Sequence, residues 1–284
     1  MHPFDGLYLN AGAMKAGTTW LYRQLEQHPA IVFSREKELH YHASRAGDRR
    51  ALDLRYRLTR ARNALQRDGV SPVSAAGREL LRWYLPYVLV PPRSNRWYRA
   101  RFPTAVPAGG YCADFSNLTA VIDEAGWSNI RGLAARPRIS IVLRQPLERV
   151  WSHLKFLRRL GTSQAAPESL SVAEIDALDA RYGLWRHSQY SQSLAQIQRH
   201  FEPGQVKVLL YDDIASRPLA LLRELEAFLG IAAHDYQQNK LERRINVSSG
   251  HDMPAVVIER FAAELETELA ALQALGVVLP AAWS

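Results

Sequence analysis

The residues best suited to chemistry lie directly after a short apolar segment near the start of the chain, and they read Lys15-Ala16-Gly17-Thr18-Thr19-Trp20. Gly12 and Gly17 allow a tight turn, so the backbone N–H groups of 16–19 can point at an anion on the positive end of a following helix. Lys15 adds a full positive charge. The spacing therefore predicts a phosphate-binding turn. An ordinary tight turn in which Thr18 caps the helix is the alternative interpretation.

This turn differs from the loop that binds magnesium-ATP. In the pattern G-x-x-x-x-G-K-[ST], the lysine directly follows the second glycine and the next hydroxyl residue binds magnesium. Lys15 instead precedes Gly17 by two positions. Magnesium-dependent nucleotide hydrolases also need an acid at the end of a buried strand, whereas the clearest buried strand, 138–143, is followed by Arg144. We therefore expect a phosphate bound without a metal.

Arg144 and Ser152 form a second candidate phosphate site. A guanidinium is planar, permanently charged and well suited to phosphate, and Ser152 lies roughly 12 Å further along the predicted helix, at about 1.5 Å per residue. Together the two side chains can hold one phosphate between a loop and a helix. In the alternative interpretation, Arg144 pairs with Glu148 and Ser152 faces solvent.

Titratable side chains crowd the loop 34–42, just beyond a predicted strand at 30–33. Ligands collect at the carboxyl ends of strands in open α/β sheets. Either Glu38 or His40 can take a proton from an acceptor hydroxyl, and enclosure beside an apolar pocket would raise the pKa of a carboxylate toward useful basicity. His40 and His42 have no firm third metal ligand. A solvated charged surface is the remaining alternative.

The elements that must position these residues alternate between strand and helix. Strands are predicted at 5–10, 30–33, 111–113, 138–143 and 206–210. Helices are predicted at 18–27, 118–134, 146–160, 214–229 and 253–275. Two further helical stretches, 48–67 and 75–90, interrupt the alternation and predict a helical insertion or lid at about 45–107. We therefore expect a single α/β domain spanning 1–284.

Composition narrows the class of partner and the compartment. The chain has 284 residues, a formal net charge of +8 and a single cysteine, Cys112. The charge favours anionic partners, and one cysteine excludes an internal disulfide and fits a reducing compartment. No uncharged run approaches the roughly 18 residues that span a bilayer, so we expect no transmembrane segment and a cytoplasmic protein.

Three motifs together resemble those of the sulfotransferase superfamily: Lys15-Ala-Gly-Thr-Thr-Trp20 with His28-Pro29, Lys37-Glu38-x-His40-Tyr41, and Arg144-x-Pro-x-x-Arg-x-Trp-Ser152. Their order and spacing match over most of the chain outside 45–107. The resemblance implies a P-loop-like three-layer fold, in which helices flank a central, mostly parallel sheet. It also implies the cosubstrate 3′-phosphoadenosine 5′-phosphosulfate, the product adenosine 3′,5′-bisphosphate, and no metal.

By resemblance, Lys15 bridges the 5′-phosphate and the sulfuryl group and offsets charge on the departing phosphate during in-line transfer. Thr18 and Thr19 hold the 5′-phosphate, and Arg144 and Ser152 hold the 3′-phosphate. The covering loop of the family corresponds to 243–250. The implied cofactor-binding residues are Lys15, Ala16, Gly17, Thr18, Thr19, Trp20, Arg144, Ser152, Tyr190, Arg243 and Arg244.

The candidate base also comes from the resemblance. Lys37-Glu38-x-His40 is similar to the motif of heparan-type carbohydrate sulfotransferases, whose glutamate is the base, so Glu38 is the first candidate. His40 is the second, since cytosolic sulfotransferases use a histidine. Residues 111–116 match the Lys-Ser-Pro segment of the glycan enzymes only in part, so no acceptor contact is carried over from it.

We therefore expect a sulfotransferase that acts on a hydroxyl or amine of a small-molecule or glycan acceptor, with no nucleic-acid partner. Two alternatives are a phosphate-loop kinase or nucleotide hydrolase, and a non-catalytic protein that binds anions through its basic residues. The insertion is expected to choose the acceptor. Its arginines favour an acidic acceptor, whereas its aromatic residues favour a sugar, an aromatic or a lipid-like body; they are Trp83, Tyr84, Tyr87, Trp97 and Tyr98.

Overall fold

A computed structural model describes residues 2–48, 50–67, 71, 73–161, 170–241 and 252–283. Within them, one sheet contains five strands: β1 (Phe4–Asn10), β2 (Ile31–Phe33), β3 (Tyr111–Asp114), β4 (Ala134–Leu143) and β5 (Val206–Leu210). Every pairing is parallel, and the strand order is β2-β3-β1-β4-β5. All five carboxyl ends therefore lie at the same edge, with β1 at the centre.

Thirteen helices accompany the sheet in the described part of the chain: α1 (Thr18–Leu25), α2 (Tyr41–Arg45), α3 (Leu54–Arg67), α4 (Ala75–Leu89), α5 (Asn95–Arg99), α6 (Glu124–Arg131), α7 (Pro146–Arg159), α8 (Val172–Tyr182), α9 (Tyr190–His200), α10 (Tyr211–Ser216), α11 (Pro218–Leu229), α12 (Gln238–Leu241) and α13 (Ala255–Ala274). Alternate residues of β1 enter different clusters, because Leu7 and Leu9 pack in one core and Tyr8 in another. The predicted three-layer α/β fold is confirmed.

Two predicted helices are interrupted. The stretch 118–134 forms a short 3₁₀ turn and then α6, whose N-terminus is capped by Asp123, and β4 begins at Ala134, earlier than predicted. The stretch 214–229 divides into α10 and α11 at Arg217, whose φ of −148° and ψ of 54° are not helical. The cause is Pro218, because a proline disfavours the helical region for the residue before it.

The described residues between 45 and 107 contain the helices α3, α4 and α5, but their aromatic side chains do not form an open acceptor surface. Tyr84, Tyr87, Trp97 and Tyr98 are buried in the same cluster as Leu7 and Leu9 of β1, and Trp83 packs against that cluster. The expectation that these rings present a binding face is therefore wrong. Among the described residues, no helix is both long and apolar enough to cross a bilayer.

Candidate functional site

The register of β1 and β4 brings the two predicted phosphate sites together. Asn10, the last residue of β1, aligns with Ser140 of β4, so the turns that follow the two strands emerge side by side. The guanidinium of Arg144 donates to the carbonyl oxygen of Lys15 at 3.4 Å. Two motifs that are far apart in the sequence therefore occupy one site because their strands are neighbours.

The turn after β1 leaves backbone donors available. α1 begins at Thr18, with Gly17 at its N-cap in a left-handed conformation and no side-chain cap, so the interpretation of Thr18 as the cap is wrong. A Cβ at position 17 would lie 2.6 Å from Ile214 and 2.9 Å from Tyr211, which requires glycine. The N–H of Ala16 donates to Ala13, whereas those of the next three residues donate to no described acceptor.

Lys15 lies in a strongly positive environment. Its φ of 68° is uncommon for a residue with a side chain, and its Nζ lies 4.3 Å from the ring centroid of Phe156. Burial and the charges of Arg159, Arg144 and Arg149 lower the pKa of Lys15 to about 8. An anion bound beside these cations would relieve their mutual repulsion.

Arg144 is held by three neighbours. Its guanidinium pairs with Glu148 at 3.2 Å, as in the alternative interpretation, and lies 4.5 Å from the ring centroid of Tyr211. Tyr190 donates its hydroxyl to the carbonyl oxygen of Arg144 at 2.9 Å. Ser152 is buried on α7 and faces the same cavity as Arg144, so it does not simply face solvent.

Glu38 and His40 form a pair beside the phosphate-binding turn. The Oε2 atom of Glu38 lies 3.4 Å from Nε2 of His40, and its Oε1 atom accepts from Lys37 at 3.0 Å and from the amide of Asn117 at 3.1 Å. The side chain of Glu38 is 27% exposed and that of His40 is 8% exposed. Glu38 is therefore the more accessible member of the pair.

The environment of Glu38 lowers its pKa, contrary to the expectation from the sequence. Burial by itself would raise the pKa, but the hydrogen bond from His40 and the charge of Lys37 outweigh burial and lower it to about 2. The carboxylate is thus ionised and able to accept a proton at neutral pH.

A buried network holds the backbone at His40. The hydroxyl of Ser116 accepts from the N–H of His40 at 2.9 Å and donates to Asp114 at 2.5 Å. The other carboxylate oxygen of Asp114 accepts from Tyr98 at 2.8 Å. Because His40 has a φ of 52°, this network stabilises a backbone conformation that few residues with side chains adopt.

We expect Asp114→Asn to lower kcat about tenfold and to cost about 1–3 kcal/mol of stability, because an amide cannot accept from both Ser116 and Tyr98. Asp123→Asn is the matched control, since it makes the same change at a helix cap outside the cavity, where asparagine caps about as well as aspartate, so it should leave kcat and stability nearly unchanged. Thermal melts and steady-state kinetics of both variants measure the two effects. Equal kcat in both variants would limit Asp114 to a structural role.

A cavity of about 320 Å³ lies at the meeting point of these groups. Nine residues expected from the sequence line it: Lys15, Gly17, Thr18, Thr19, Trp20, Glu38, His40, Arg144 and Ser152. Ala16 and Tyr190 are buried and do not line it, and Arg243 and Arg244 lie outside the described residues. No described residue between 45 and 107 contributes to the lining.

Five lining residues were not predicted from the sequence: Met14, Asn117, Leu118, Phe156 and Tyr211. Asn117 and Leu118 follow β3, Phe156 lies on α7, and Tyr211 begins α10. The position of Phe156 four residues after Ser152 is the one local signal that placed any of them on the site face of a helix. The described residues contain no cluster of three metal-binding side chains.

No protein-family model and no curated protein matches the chain. Among solved structures, the fold is similar to that of a sulfotransferase from Alicyclobacillus acidocaldarius, with 20% identity, a TM-score of 0.69 and 98% of each chain covered. It is also similar to the sulfotransferase domain of the Synechococcus PCC 7002 olefin synthase, with 16% identity, a TM-score of 0.55, and 99% of this chain and 98% of that chain covered.

A third similar structure is the sulfotransferase domain from the curacin biosynthetic pathway, with 15% identity, a TM-score of 0.50, and 98% of this chain and 99% of that chain covered. At these identities the likeness establishes the fold. The chain therefore has the α/β fold of sulfotransferases over nearly its whole length, in agreement with the fold implied by its motifs.

Proposed function

We propose that this protein is a sulfotransferase that moves a sulfuryl group from 3′-phosphoadenosine 5′-phosphosulfate to a hydroxyl or amine of an acceptor. The observation that carries the proposal is the meeting of two phosphate-type sites and a carboxylate at one cavity. Lys15, Thr18 and Thr19 of the first site, Arg144 and Ser152 of the second, and Glu38 all line this cavity.

The chemistry of the donor set fits a doubly phosphorylated nucleotide. The N–H groups at the start of α1 and the ammonium of Lys15 suit a 5′-phosphosulfate. The guanidinium of Arg144 and the hydroxyl of Ser152 suit the 3′-phosphate. When bound, the cosubstrate supplies the sulfuryl group that is transferred.

The proposed roles of the two reactive side chains are supported by their positions on the cavity. Lys15 offsets the negative charge that develops on the phosphate side of the breaking bond. Glu38 accepts the proton that the acceptor loses, while His40, Lys37 and Asn117 orient its two oxygens. The negative charge of the nucleotide raises the pKa of Glu38 from its value in the free protein, which makes it a stronger base when the site is loaded.

Isothermal titration calorimetry with adenosine 3′,5′-bisphosphate tests the proposal. We expect a dissociation constant in the micromolar range or below, because two phosphates each meet charged donors. Absence of binding at about 100 µM would exclude the proposal, since this corresponds to less than ~5.5 kcal/mol of binding free energy. ATP with magnesium serves as the comparison ligand.

The affinity should depend on pH through Lys15, whose pKa is about 8 in the free protein. A bound anion raises this pKa, so binding above pH 8 takes up a proton and the affinity falls as the pH rises. At pH 8.5 we expect uptake of about three quarters of a proton, since the ligand phosphates (pKa about 6) are already ionised. Calorimetry in two buffers of different ionisation enthalpy measures this uptake. Lys15→Arg keeps its charge, and uptake should disappear in that variant.

The alternative of a magnesium-dependent kinase or hydrolase receives less support from the site. Asp114 does stand at the end of a buried strand, as such a site requires. Both of its oxygens, however, already accept hydrogen bonds from Ser116 and Tyr98, and it does not line the cavity. Magnesium-dependent ATP turnover that is lost in Lys15→Ala would favour the alternative, because the phosphate-loop lysine holds the β- and γ-phosphates.

A further inference from the structure

The net positive charge of this protein comes from the segment 45–107. The segment contains fourteen arginines, no lysine and four carboxylates, a formal charge of +10, whereas the whole chain carries +8. The rest of the chain is therefore slightly acidic. Among the described residues of the segment, none lines the cavity.

The same segment exposes large aliphatic side chains. We define the apolar patch as Leu54, Leu58, Leu85, Leu89 and Val90, which are between 48% and 71% exposed. Leu54 and Leu58 are four residues apart on α3, and Leu85 and Leu89 are four residues apart on α4, so each pair lies on one face of its helix. Such a concentration of exposed aliphatic residues marks an interaction surface.

Arg57 brings the two halves of the apolar patch to the same end of the hairpin that α3 and α4 form. Its guanidinium is buried and donates to the carbonyl oxygens of Tyr87, Val88 and Val90 at 2.8, 2.6 and 2.9 Å. The first turn of α3 is thereby fixed against the last turn of α4, so Leu54 and Leu58 lie at the same end of the hairpin as Leu89 and Val90.

Arginines continue the helix faces that carry the apolar patch. On α4, Arg78 and Arg82 continue the face of Leu85 and Leu89 at helical spacing, and on α3 Arg62 lies one turn beyond Leu58. Eight arginines among the described residues of the segment are exposed: Arg45, Arg50, Arg55, Arg62, Arg78, Arg82, Arg93 and Arg96. None of these eight forms an ion pair with a carboxylate among the described residues.

We propose that the apolar patch and its arginines are a docking surface for an anionic lipid bilayer. Aliphatic side chains that project from one end of a helical hairpin can enter the acyl boundary, while the arginines bind lipid phosphates. An acidic protein would match the charge equally well. Protein hot spots, however, are rich in Trp and Tyr and poor in Leu and Val, and every aromatic residue of α3 to α5 is at least partly buried. The composition therefore favours lipid.

The docking surface adjoins the candidate catalytic segment. Tyr56, which lies between Leu54 and Leu58 on α3 but on the opposite face, donates to the carbonyl oxygen of Glu38 at 3.4 Å, and its ring centroid lies 5.8 Å from that of His40. A bilayer bound at the apolar patch would thus be separated by α3 from the residues proposed to activate the acceptor.

Flotation with vesicles tests the docking surface without any measurement of activity. The probes are vesicles of neutral phosphatidylcholine alone and with 30% phosphatidylglycerol, mixed with the full chain at about 0.15 M salt. The first variant is Leu58→Gln with Leu89→Gln, and the second is Arg55→Gln with Arg62→Gln. The matched controls are Leu219→Gln with Ile258→Gln, which are exposed elsewhere, and Arg131→Gln with Arg199→Gln.

We expect binding to the anionic vesicles only. The leucine variant should bind these vesicles at least about tenfold more weakly than the wild type. The arginine variant should also lose affinity by about tenfold or more, because each lost charge weakens binding about fivefold. Both controls should bind like the wild type. Equal binding by the leucine variant and the wild type would reduce the surface to non-specific adsorption and overturn the proposal. Absence of vesicle binding would also overturn the proposal. It would do so if the protein bound polyglutamate instead, and equally if the wild type formed a dimer that the leucine substitutions dissociate.

Discussion

Replacement of Glu38 by glutamine is expected to lower kcat about 10²- to 10⁴-fold, the usual contribution of a positioned general base. The affinity for adenosine 3′,5′-bisphosphate should not weaken, because Glu38 is proposed to meet the acceptor and the neutral amide no longer repels the nucleotide phosphates. The amide is nearly the same size as the carboxylate, so the change removes proton acceptance and little else. Single-turnover sulfuryl transfer and calorimetry on the same preparation measure the two quantities.

Glu26→Gln is the matched control for Glu38→Gln. Glu26 pairs with Arg23 at the end of α1 and does not line the cavity, so the same chemical change there should leave both kcat and binding unaltered. His40→Gln provides the second arm. If Glu38→Gln were fully active and His40→Gln inactive, the base would be the imidazole.

The pH dependence of kcat/KM offers an independent check on the base. In the free protein the pKa of Glu38 is lowered to about 2 by His40 and Lys37, in spite of burial. A carboxylate with this pKa remains ionised as the pH falls from 7 toward 4, so Glu38 should impose no loss of kcat/KM in that interval. A loss between pH 5 and 8 that disappears in His40→Gln would indicate an imidazole base, because the ligand phosphate (pKa about 6) titrates in the same interval with either protein.

Local motifs made much of the site predictable. Each phosphate-type site is a strand end followed by a helix start, and both features are visible in a few consecutive residues such as Lys15 to Thr19 or Arg144 to Ser152. That the two sites meet follows from the pairing of β1 with β4, which the sequence does not display. Only the resemblance to a family indicates, without the strand order, that the two sites bind one nucleotide.

The errors have identifiable physical causes. A run of aromatic residues has the same pattern whether it packs in a core or lines a pocket, and burial of Tyr87 and Trp97 depends on partners distant in the sequence. The pKa of Glu38 depends on how far its charged neighbours outweigh burial, which only the folded geometry fixes. Helix α8, in contrast, was missed although Ser171 and Glu174 form a capping box, a signal that the sequence contains.

Asn117 and Tyr211 illustrate the part that sequence alone could not provide. Both lie at element boundaries, and both reach the cavity because β3 and β5 end at the same edge as β1. No residue spacing links Asn117 to Glu38, which is 79 positions away. Residues that orient a reactive group are therefore identified only after the sheet order is known.

Replacement of Lys15 by alanine is expected to lower kcat about 10²- to 10³-fold, because this is the usual effect of removing one preorganised donor that stabilises a developing negative charge. It should also weaken binding of adenosine 3′,5′-bisphosphate about tenfold or more, the value of a charge-assisted hydrogen bond. Arg144→Ala is the informative comparison. Because Arg144 is assigned to the 3′-phosphate, its loss should weaken binding similarly but leave kcat at saturation within about threefold.

Lys207→Ala serves as the control for removal of a lysine, since Lys207 pairs with Glu224 on an edge of the sheet and lies outside the candidate site. Its kcat and affinity should equal those of the wild type. If Lys15→Ala retained kcat and lost only affinity, Lys15 would be an anchor for the nucleotide, and the proposed role at the breaking bond would be wrong.

The stability of Lys15→Ala distinguishes a functional residue from a structural one. Burial and the charges of Arg159, Arg144 and Arg149 lower the pKa of Lys15 to about 8, so at pH 7 the folded protein holds an ammonium where its surroundings disfavour one. A group whose pKa is lowered by folding costs stability below that pKa, and its removal should leave the melting temperature at pH 7 unchanged or higher. A site that keeps a charge in order to bind its substrate, although this charge destabilises the fold, should lose turnover but not stability when the charge is removed. A lower melting temperature would instead place Lys15 among the residues that hold the fold together.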